Sequence, residues 1–156
     1  MSRIVMLIST TIVVLLIQSG FSQAASSPDA CADWMSKRLS PADASTCAAR
    51  DAETERARLQ RLLQDLRKKF TAGRQDRQWQ RLESLQKEWE QFARNDCTWE
   101  SGFAEGSMQP TVNSICMANA TANRIDRLRI FLCEGAGAAG ECKESQAYEL
   151  KAGGRR

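Results

Sequence analysis

The chain has 156 residues, with 22 basic and 19 acidic side chains, six cysteines, no histidine and a net charge of +3. A balance this close to neutral does not favour a nucleic-acid partner. Because histidine is absent, the usual general base near neutral pH is missing and neither a Ser–His nor a Cys–His pair can form. We therefore expect no catalytic residues and no enzymatic activity.

The first 24 residues have the pattern of a secretory signal. Arg3 precedes an apolar run over residues 4–17, and Ser22 and Ala24 supply the small residues of a cleavage site. The alternative, an uncleaved membrane anchor, needs ~20 apolar residues, more than this run provides. We expect an exported protein, periplasmic or secreted, with no stable membrane anchor after cleavage.

The cysteines all follow the signal segment, at Cys31, Cys47, Cys97, Cys116, Cys133 and Cys142. An even number in an exported chain indicates disulfides. A zinc site would more commonly bring histidine or closely spaced cysteine pairs, so no metal is expected. Many pairings remain possible. We favour the sequential set, 31 with 47, 97 with 116 and 133 with 142, because each pair brackets one turn.

Two similar helix starts follow one another in the mature chain. Ser27-Pro28-Asp29 and Ser40-Pro41-Ala42-Asp43 each combine a capping serine, a proline and an early aspartate. They predict a short first helix that carries Cys31, Trp34 and Met35, and a second helix that runs from Pro41 or Ala44 to Ala72, before Gly73. The apolar face of this second helix comprises Ala52, Leu59, Leu62, Leu63, Leu66 and Phe70.

Two further helices are predicted, a third over residues 74–100 and a fourth from Pro110. The apolar face predicted for the third comprises Trp79, Leu82, Leu85, Trp89, Phe92 and Ala93. Residues 25–132 thus form an all-α domain, a disulfide-stapled antiparallel helical hairpin or bundle of three to four helices. Residues 133–156 are expected to form a glycine- and alanine-rich disulfide loop and a tail that is disordered beyond Cys142.

The loop at residues 101–109 separates the last two helices. Cys97 and Cys116 flank this loop, so antiparallel helices would bring their sulfurs to the same height. Residue numbers at equal height then add up to about 213, which places Trp89 level with Arg124. We expect Arg124 to pack on the Trp89 ring in a cation–π contact.

The same region carries a recognisable motif. It reads Leu-x3-Gln-x2-Trp-x2-Phe-x4-Cys-x-Trp-Glu and then Gly-Ser-x2-Pro-x5-Cys-x4-Thr-x2-Arg-x3-Leu. The motif resembles the lysozyme-inhibitor LprI N-terminal domain family over residues 31–132. The matching positions are Leu82, Gln86, Trp89, Cys97, Trp99, Glu100, Gly106, Ser107, Pro110, Cys116, Thr121, Arg124 and Leu128. Ala93 and Arg94 depart from the family, which has Arg-Asp there. Cys31 and Cys47 also resemble an upstream cysteine pair of the family.

The resemblance implies a small secreted helical domain and, by the family name, lysozyme inhibition. We assign the residues Trp89, Glu100, Thr121 and Arg124 to the structural motif. The candidate partner-binding residues in the loop are Phe103, Glu105, Ser107 and Met108. In the structural alternative, Glu100 and Ser107 cap the fourth helix and Phe103 closes the hairpin core.

A non-enzymatic envelope-binding protein without a cofactor is therefore the leading functional hypothesis. Lysozyme is the first candidate partner. Animal lysozymes are usually basic, however, and this chain is itself slightly basic, so electrostatic steering would be weak or adverse. Another envelope protein with an acidic surface, or an envelope polymer, is the competing target. The alternative from a different class is a structural or stress-related periplasmic protein with no tight ligand.

Overall fold

A computed structural model describes residues 31–133 and 142–149. Every regular element in these residues is helical, which confirms the all-α, disulfide-stapled fold class. The helices are α1 (Pro41–Ala72), α2 (Asp76–Ser101), α3 (Gln109–Arg129) and the short α4 (Lys143–Gln146). The signal segment at residues 1–24 lies outside the described residues. None of the described helices is long and apolar enough to cross a bilayer.

Helix α1 begins at Pro41, the earlier of the two predicted starts, and ends at Ala72 as predicted. The Ser40 side chain accepts a hydrogen bond from the Asp43 backbone N–H at 3.2 Å, and Pro41 opens the helix. Gly73 follows the last residue, but its backbone is not left-handed. The left-handed conformation falls on Arg74, with φ of 55°. A turn of three residues, 73–75, then leads directly into α2.

Helix α3 packs chiefly against α1 and also against α2, whereas α1 and α2 touch each other least. Two contacts show that α1 and α3 run parallel. Ile115, early in α3, packs on the cluster that contains Cys47, early in α1. Lys69, near the end of α1, donates from Nζ to the carbonyl of Leu132 at 2.6 Å. Helix α2 is therefore antiparallel to both of its neighbours.

The main core lies between α1 and α3. Its buried members are Leu59, Leu62, Leu66, Ile125 and Leu128. Trp79, Leu82 and Trp89 of α2 cover this core from one side and are partly buried. A smaller cluster of Trp34, Cys47 and Ala48 lies at the end of the bundle where α1 begins. Burial of these aliphatic side chains is the main stabilising term, at roughly 25 cal/mol per Å² of apolar surface.

The predicted short first helix is wrong within the described residues. From Cys31 onward the chain shows 3-10 conformation at Cys31 and a 3-10 turn at Trp34–Ser36, and no α-helix before Pro41. Asp33, which precedes it, has φ of 49° and so cannot continue an α-helix. The turn nevertheless anchors the N-terminal segment, because the Trp34 ring is buried and its Nε1 donates to the Asp51 carboxylate at 3.0 Å.

Two residues assigned to the inner face of α2 lie on its outer face. Leu85 and Phe92 are 46% and 66% exposed. The buried positions of α2 are Gln86, Ala93, Cys97 and Ser101. They are separated by seven, four and four residues, which places them on one helical face. Apolar residues occur on both faces of α2, so the apolar pattern alone did not identify which face meets the core.

The expectation of disorder beyond Cys142 is also wrong for residues 143–149. Helix α4 leads into Tyr148, whose hydroxyl donates to the Asp65 carboxylate at 2.6 Å. The Arg58 guanidinium donates to the Tyr148 carbonyl at 2.9 Å. Glu149 pairs with Arg129 at 3.3 Å. These contacts fix the segment against α1 and α3, whereas composition alone had suggested a free tail. Residues 134–141 and 150–156 lie outside the described part of the chain.

Candidate functional site at the tip of the hairpin

Three disulfides join the six cysteines in the predicted sequential order, and no cysteine is free. The Cys97–Cys116 bond joins α2 to α3 with a Cα–Cα distance of 5.5 Å, well within the range that a disulfide spans. It holds the two helices together just before the chain turns. We call residues 102–108, which connect the helices beyond this disulfide, the tip.

The predicted contact between Arg124 and Trp89 is confirmed. The guanidinium carbon of Arg124 lies 5.5 Å from the centroid of the Trp89 ring, within the range of a cation–π interaction. Arg124 also donates from Nε to Oε1 of Gln86 at 3.0 Å. Burial lowers the pKa of the Arg124 guanidinium, and the charge of Arg127 lowers it further. These contacts fix the register of α2 and α3 on the side of the disulfide that is away from the tip.

Thr121 is a buried residue of α3. Its hydroxyl is buried and donates to the Met117 carbonyl at 2.7 Å, four residues earlier in the helix. This bond satisfies the hydroxyl without a partner from outside the helix. Thr121 and Arg124 are therefore residues of the helix interface rather than of an exposed binding surface.

The aromatic rings at the tip point away from the core. Phe103 is 74% exposed and Trp99, one turn earlier, is 67% exposed. The two rings meet edge to face, with their centroids 4.9 Å apart and their planes at 82°. This geometry is favourable for an aromatic pair. Phe103 does not close the hairpin core, which removes the structural role considered for it in the sequence.

The expected caps at the start of α3 are absent too. No side chain caps this helix, and neither the Glu100 carboxylate nor the Ser107 hydroxyl makes a hydrogen bond among the described residues. Both residues are exposed, as are Glu105 and Met108. The four predicted loop residues, Phe103, Glu105, Ser107 and Met108, therefore all lie at the surface.

Gly106 gives the tip its shape. It has φ of 52°, the left-handed region that side chains rarely adopt. A 3-10 turn at Gly106–Met108 then leads into α3. Helix α2 ends one residue later than predicted, because Ser101 is helical, and α3 begins one residue before Pro110.

The lysozyme inhibitor LprI family model matches residues 31–128, which is 98 of the 156 residues. The chain belongs to the LprI lysozyme inhibitor family. No curated protein matches the chain. No solved structure matches it either.

The LprI motif divides into two groups in this structure. Gln86, Trp89, Thr121 and Arg124 form contacts between or within the helices. Trp99, Glu100 and Ser107 are exposed at or beside the tip. The second group makes no contribution to the core, so its side chains are available to a partner.

The two positions that depart from the LprI pattern differ in their surroundings. Ala93 is buried on the inner face of α2, whereas Arg94 is exposed and donates to Oε1 of Gln91 at 3.4 Å. A charged pair at these positions, which the resemblance would imply, is absent here.

A shallow groove of about 300 Å³ separates α1 from α2 on another face of the bundle. Leu63 and Trp79 line it together with Arg67, Glu83 and Lys87. The groove lies where α1 and α2 have fewer contacts with each other than either has with α3. Its charged side chains carry both signs.

The tip and the adjacent end of α2 expose both apolar and acidic side chains. Phe103, Trp99 and Met108 present apolar surface, and Glu100 and Glu105 present negative charge. Among the described residues, no group of three Cys, Asp or Glu could hold a metal ion. Trp99 and Phe92 were not among the predicted partner-binding residues. Their seven-residue spacing places them on one line along the helix, and this spacing could have indicated that they share a face.

Proposed function

We propose that the protein is an exported, non-enzymatic lysozyme inhibitor that contacts its target through the tip. The family membership supports lysozyme as the partner. The main support for the tip as the binding site is the exposed Trp99–Phe103 ring pair, which lies directly beyond the Cys97–Cys116 disulfide. Exposed aromatic residues are enriched among those that contribute most to protein–protein binding.

The disulfide makes the tip a better recognition element than a free loop. Seven residues connect α2 and α3, and both helices are cross-linked below them. Such a loop has few conformations to lose when it binds. Helical residues on either side, Ser101 and Thr111, are buried and hold its two ends. The exposed rings are therefore presented on a rigid base.

Export and the lack of catalysis fit the same proposal. Three disulfides are typical of proteins from oxidising compartments, and the first 24 residues have the composition of a secretory signal. The chain contains no histidine, so the commonest general base of hydrolases is missing. Inhibition by binding requires none of that chemistry.

The direct test is a lysozyme inhibition assay with the purified, oxidised mature protein. We expect the wild type to slow a lysozyme, and the variant F103A/E105A/M108A to lose that effect while it keeps its helical circular dichroism spectrum. R74A/R77A/Q78A, at the opposite end of α2, is the matched control and should inhibit normally. A wild type that inhibits no lysozyme of any class would favour the structural or stress-related role.

The groove between α1 and α2 supports one second candidate, the binding of an envelope polymer. Trp79 supplies an aromatic surface and Arg67 and Lys87 supply cations beside it. Sedimentation of the protein with isolated cell-wall polymer tests this candidate. Retention that is lost in R67A/K87A but kept in the tip variant would assign polymer binding to the groove.

A further inference from the structure

The exposed rings at the tip belong to a longer apolar stripe on α2. Leu85, Phe92 and Trp99 follow one another at intervals of seven residues and are 46%, 66% and 67% exposed. Seven residues are close to two helical turns, so the three side chains lie nearly in line over roughly 20 Å. Phe103 extends the line beyond the helix end through its contact with Trp99.

The stripe lies in the acidic part of an otherwise basic chain. Residues 85–109 contain five acidic side chains and two basic ones, Lys87 and Arg94, which gives 2 − 5 = −3, although the whole chain carries +3. The acidic residues are Glu88, Glu90, Asp96, Glu100 and Glu105. Apart from Glu90, which accepts a bond from Gln86, their carboxylates make no ion pair or hydrogen bond within residues 31–133 and 142–149.

The electrostatic force on a protein that approaches this end of the bundle depends on the nearby charges more than on the net charge of the chain. At physiological ionic strength the screening length is about 8 Å. Arg67 of α1 and Arg77 of α2 lie towards the other end of the hairpin. Arg56 of α1 does lie near α2, where it lines a pocket with Trp89 and Glu90, but the charged residues next to the exposed stripe are mostly carboxylates. The net positive charge of the whole chain therefore does not describe this face.

We infer that the stripe from Leu85 to Phe103, with its flanking carboxylates, is the partner-binding face and that the partner is a basic protein. The inference rests on the proposed function and specifies the chemistry of the same site. The apolar stripe supplies the contact area, and the unpaired carboxylates complement cations on the partner. Such complementarity chiefly raises the association rate and excludes acidic partners.

A second copy of the chain is a poorer fit to the same face. If two α2 helices paired antiparallel about Phe92, residue numbers at equal height would add up to 184. Asp96 of one copy would then lie opposite Glu88 of the other, and the same pair would recur across the twofold axis. A parallel pair would place identical carboxylates side by side. Both arrangements oppose like charges at the edge of the apolar contact.

The experiment measures binding of the oxidised protein to a basic animal-type lysozyme at several NaCl concentrations. For the wild type, we expect the association rate to fall steeply as salt rises. D96N/E100Q should associate about three- to tenfold more slowly at low salt, with a weaker salt dependence. D76N/E83Q, which makes the same charge change in the first half of α2, is the matched control and should associate like the wild type.

The apolar part of the face is tested separately. F92A/W99A should weaken the affinity by about tenfold or more, because exposed aromatic anchors account for much of a typical interface energy. F131A removes a partly exposed ring at the other end of the bundle and should leave the affinity unchanged. Thermal unfolding of each variant confirms that the fold is retained.

The possible results separate this inference from the proposed function. If F103A/E105A/M108A abolishes inhibition but D96N/E100Q and F92A/W99A bind like the wild type, the tip acts alone and the extended acidic face is refuted. If the wild type binds no lysozyme, the proposed function fails and this inference fails with it. A concentration-dependent dimer that F92A disrupts in sedimentation equilibrium would identify a second copy as the occupant and overturn the basic partner.

Discussion

Arg124 of α3 lies over the ring of Trp89 of α2, with its guanidinium carbon 5.5 Å from the ring centroid. The same guanidinium donates to Gln86 at 3.0 Å, so one side chain holds two positions that are one turn apart on the facing helix. A planar guanidinium can satisfy an aromatic face and an amide oxygen together, whereas an ammonium group is a poorer match to both. This contact and the Cys97–Cys116 disulfide together define the register of the hairpin.

We expect R124K to destabilise the protein by about 1 kcal/mol and R124A by about 2 kcal/mol, because the alanine variant leaves the Gln86 amide without its partner. Urea unfolding followed by circular dichroism measures both values. R127A, an exposed arginine one turn later, is the control and should change stability by less than ~0.5 kcal/mol. Equal losses at the two arginines would contradict a specific role for Arg124.

Removal of the Cys97–Cys116 disulfide by C97S/C116S should lower the free energy of unfolding by about 3 kcal/mol, as expected for a closed loop of this length. It should also weaken lysozyme inhibition at temperatures where the variant remains folded, because the tip loses its fixed base. C133S/C142S removes the disulfide near the opposite end of α3 and serves as the control. Full inhibition by folded C97S/C116S would show that the tip does not need the cross-link.

The single tyrosine of the chain gives a direct pH test of the C-terminal segment. Burial, together with the hydrogen bond to Asp65, raises the pKa of Tyr148 to about 12. The folded state therefore favours the protonated phenol, and the stability that it contributes is present below pH ~10 and lost as the pH rises towards 12. Ultraviolet absorbance should show native tyrosine ionising near pH 12, and D65N should lower that midpoint.

Asp65 should show the opposite dependence in acid. Its hydrogen bond from Tyr148, and then its contact with Lys68, hold the pKa of this carboxyl below its usual value. The associated stability is therefore present above pH ~4 and lost as the pH falls through the lowered pKa. Acid unfolding of Y148F should begin at a higher pH than that of the wild type, whereas identical acid transitions would show that the contact contributes nothing to stability.

G106A should destabilise the tip by about 1 kcal/mol, because alanine is strained in the left-handed conformation that this residue adopts. A methyl group at Gly106 meets no atom within 4 Å, so the whole cost is conformational. Thermal unfolding measures the loss. R74G is the converse control. Arg74 also has a left-handed backbone conformation, which glycine adopts without strain, so this variant should not destabilise the protein.

The sequence was sufficient to predict the parts of this fold that depend on local signals. The capping serine Ser40, followed by Pro41, indicated a start for α1. The spacing of Cys97 and Cys116 around one loop predicted their disulfide. The same spacing predicted that Arg124 lies level with Trp89. Each of these signals acts within one helix or one hairpin. They are therefore readable without knowledge of the remaining fold.

The errors arose where the outcome depends on the assembled bundle. Leu85 and Phe92 were placed in the core because they are apolar, although the buried face of α2 is set by its contact with α3. The segment around Tyr148 looked like a free tail because its anchors, Arg58 and Asp65, are distant in sequence. The sequence-based electrostatic argument used the net charge of the whole chain, and this value hides the excess of acidic residues in the second half of α2 and the tip. Exposed aromatic residues depart from the usual inside–outside pattern, as binding sites often do.

Mapping the contact surface by NMR would show whether a lysozyme binds the tip and the outer face of α2. Amide chemical shifts of the isotope-labelled protein should be followed by NMR while a basic lysozyme is added. We predict that the perturbed amides cluster within residues 85–108, with little change in residues 41–72. Perturbations confined to the residues that line the α1–α2 groove, or none at saturating lysozyme, would contradict it.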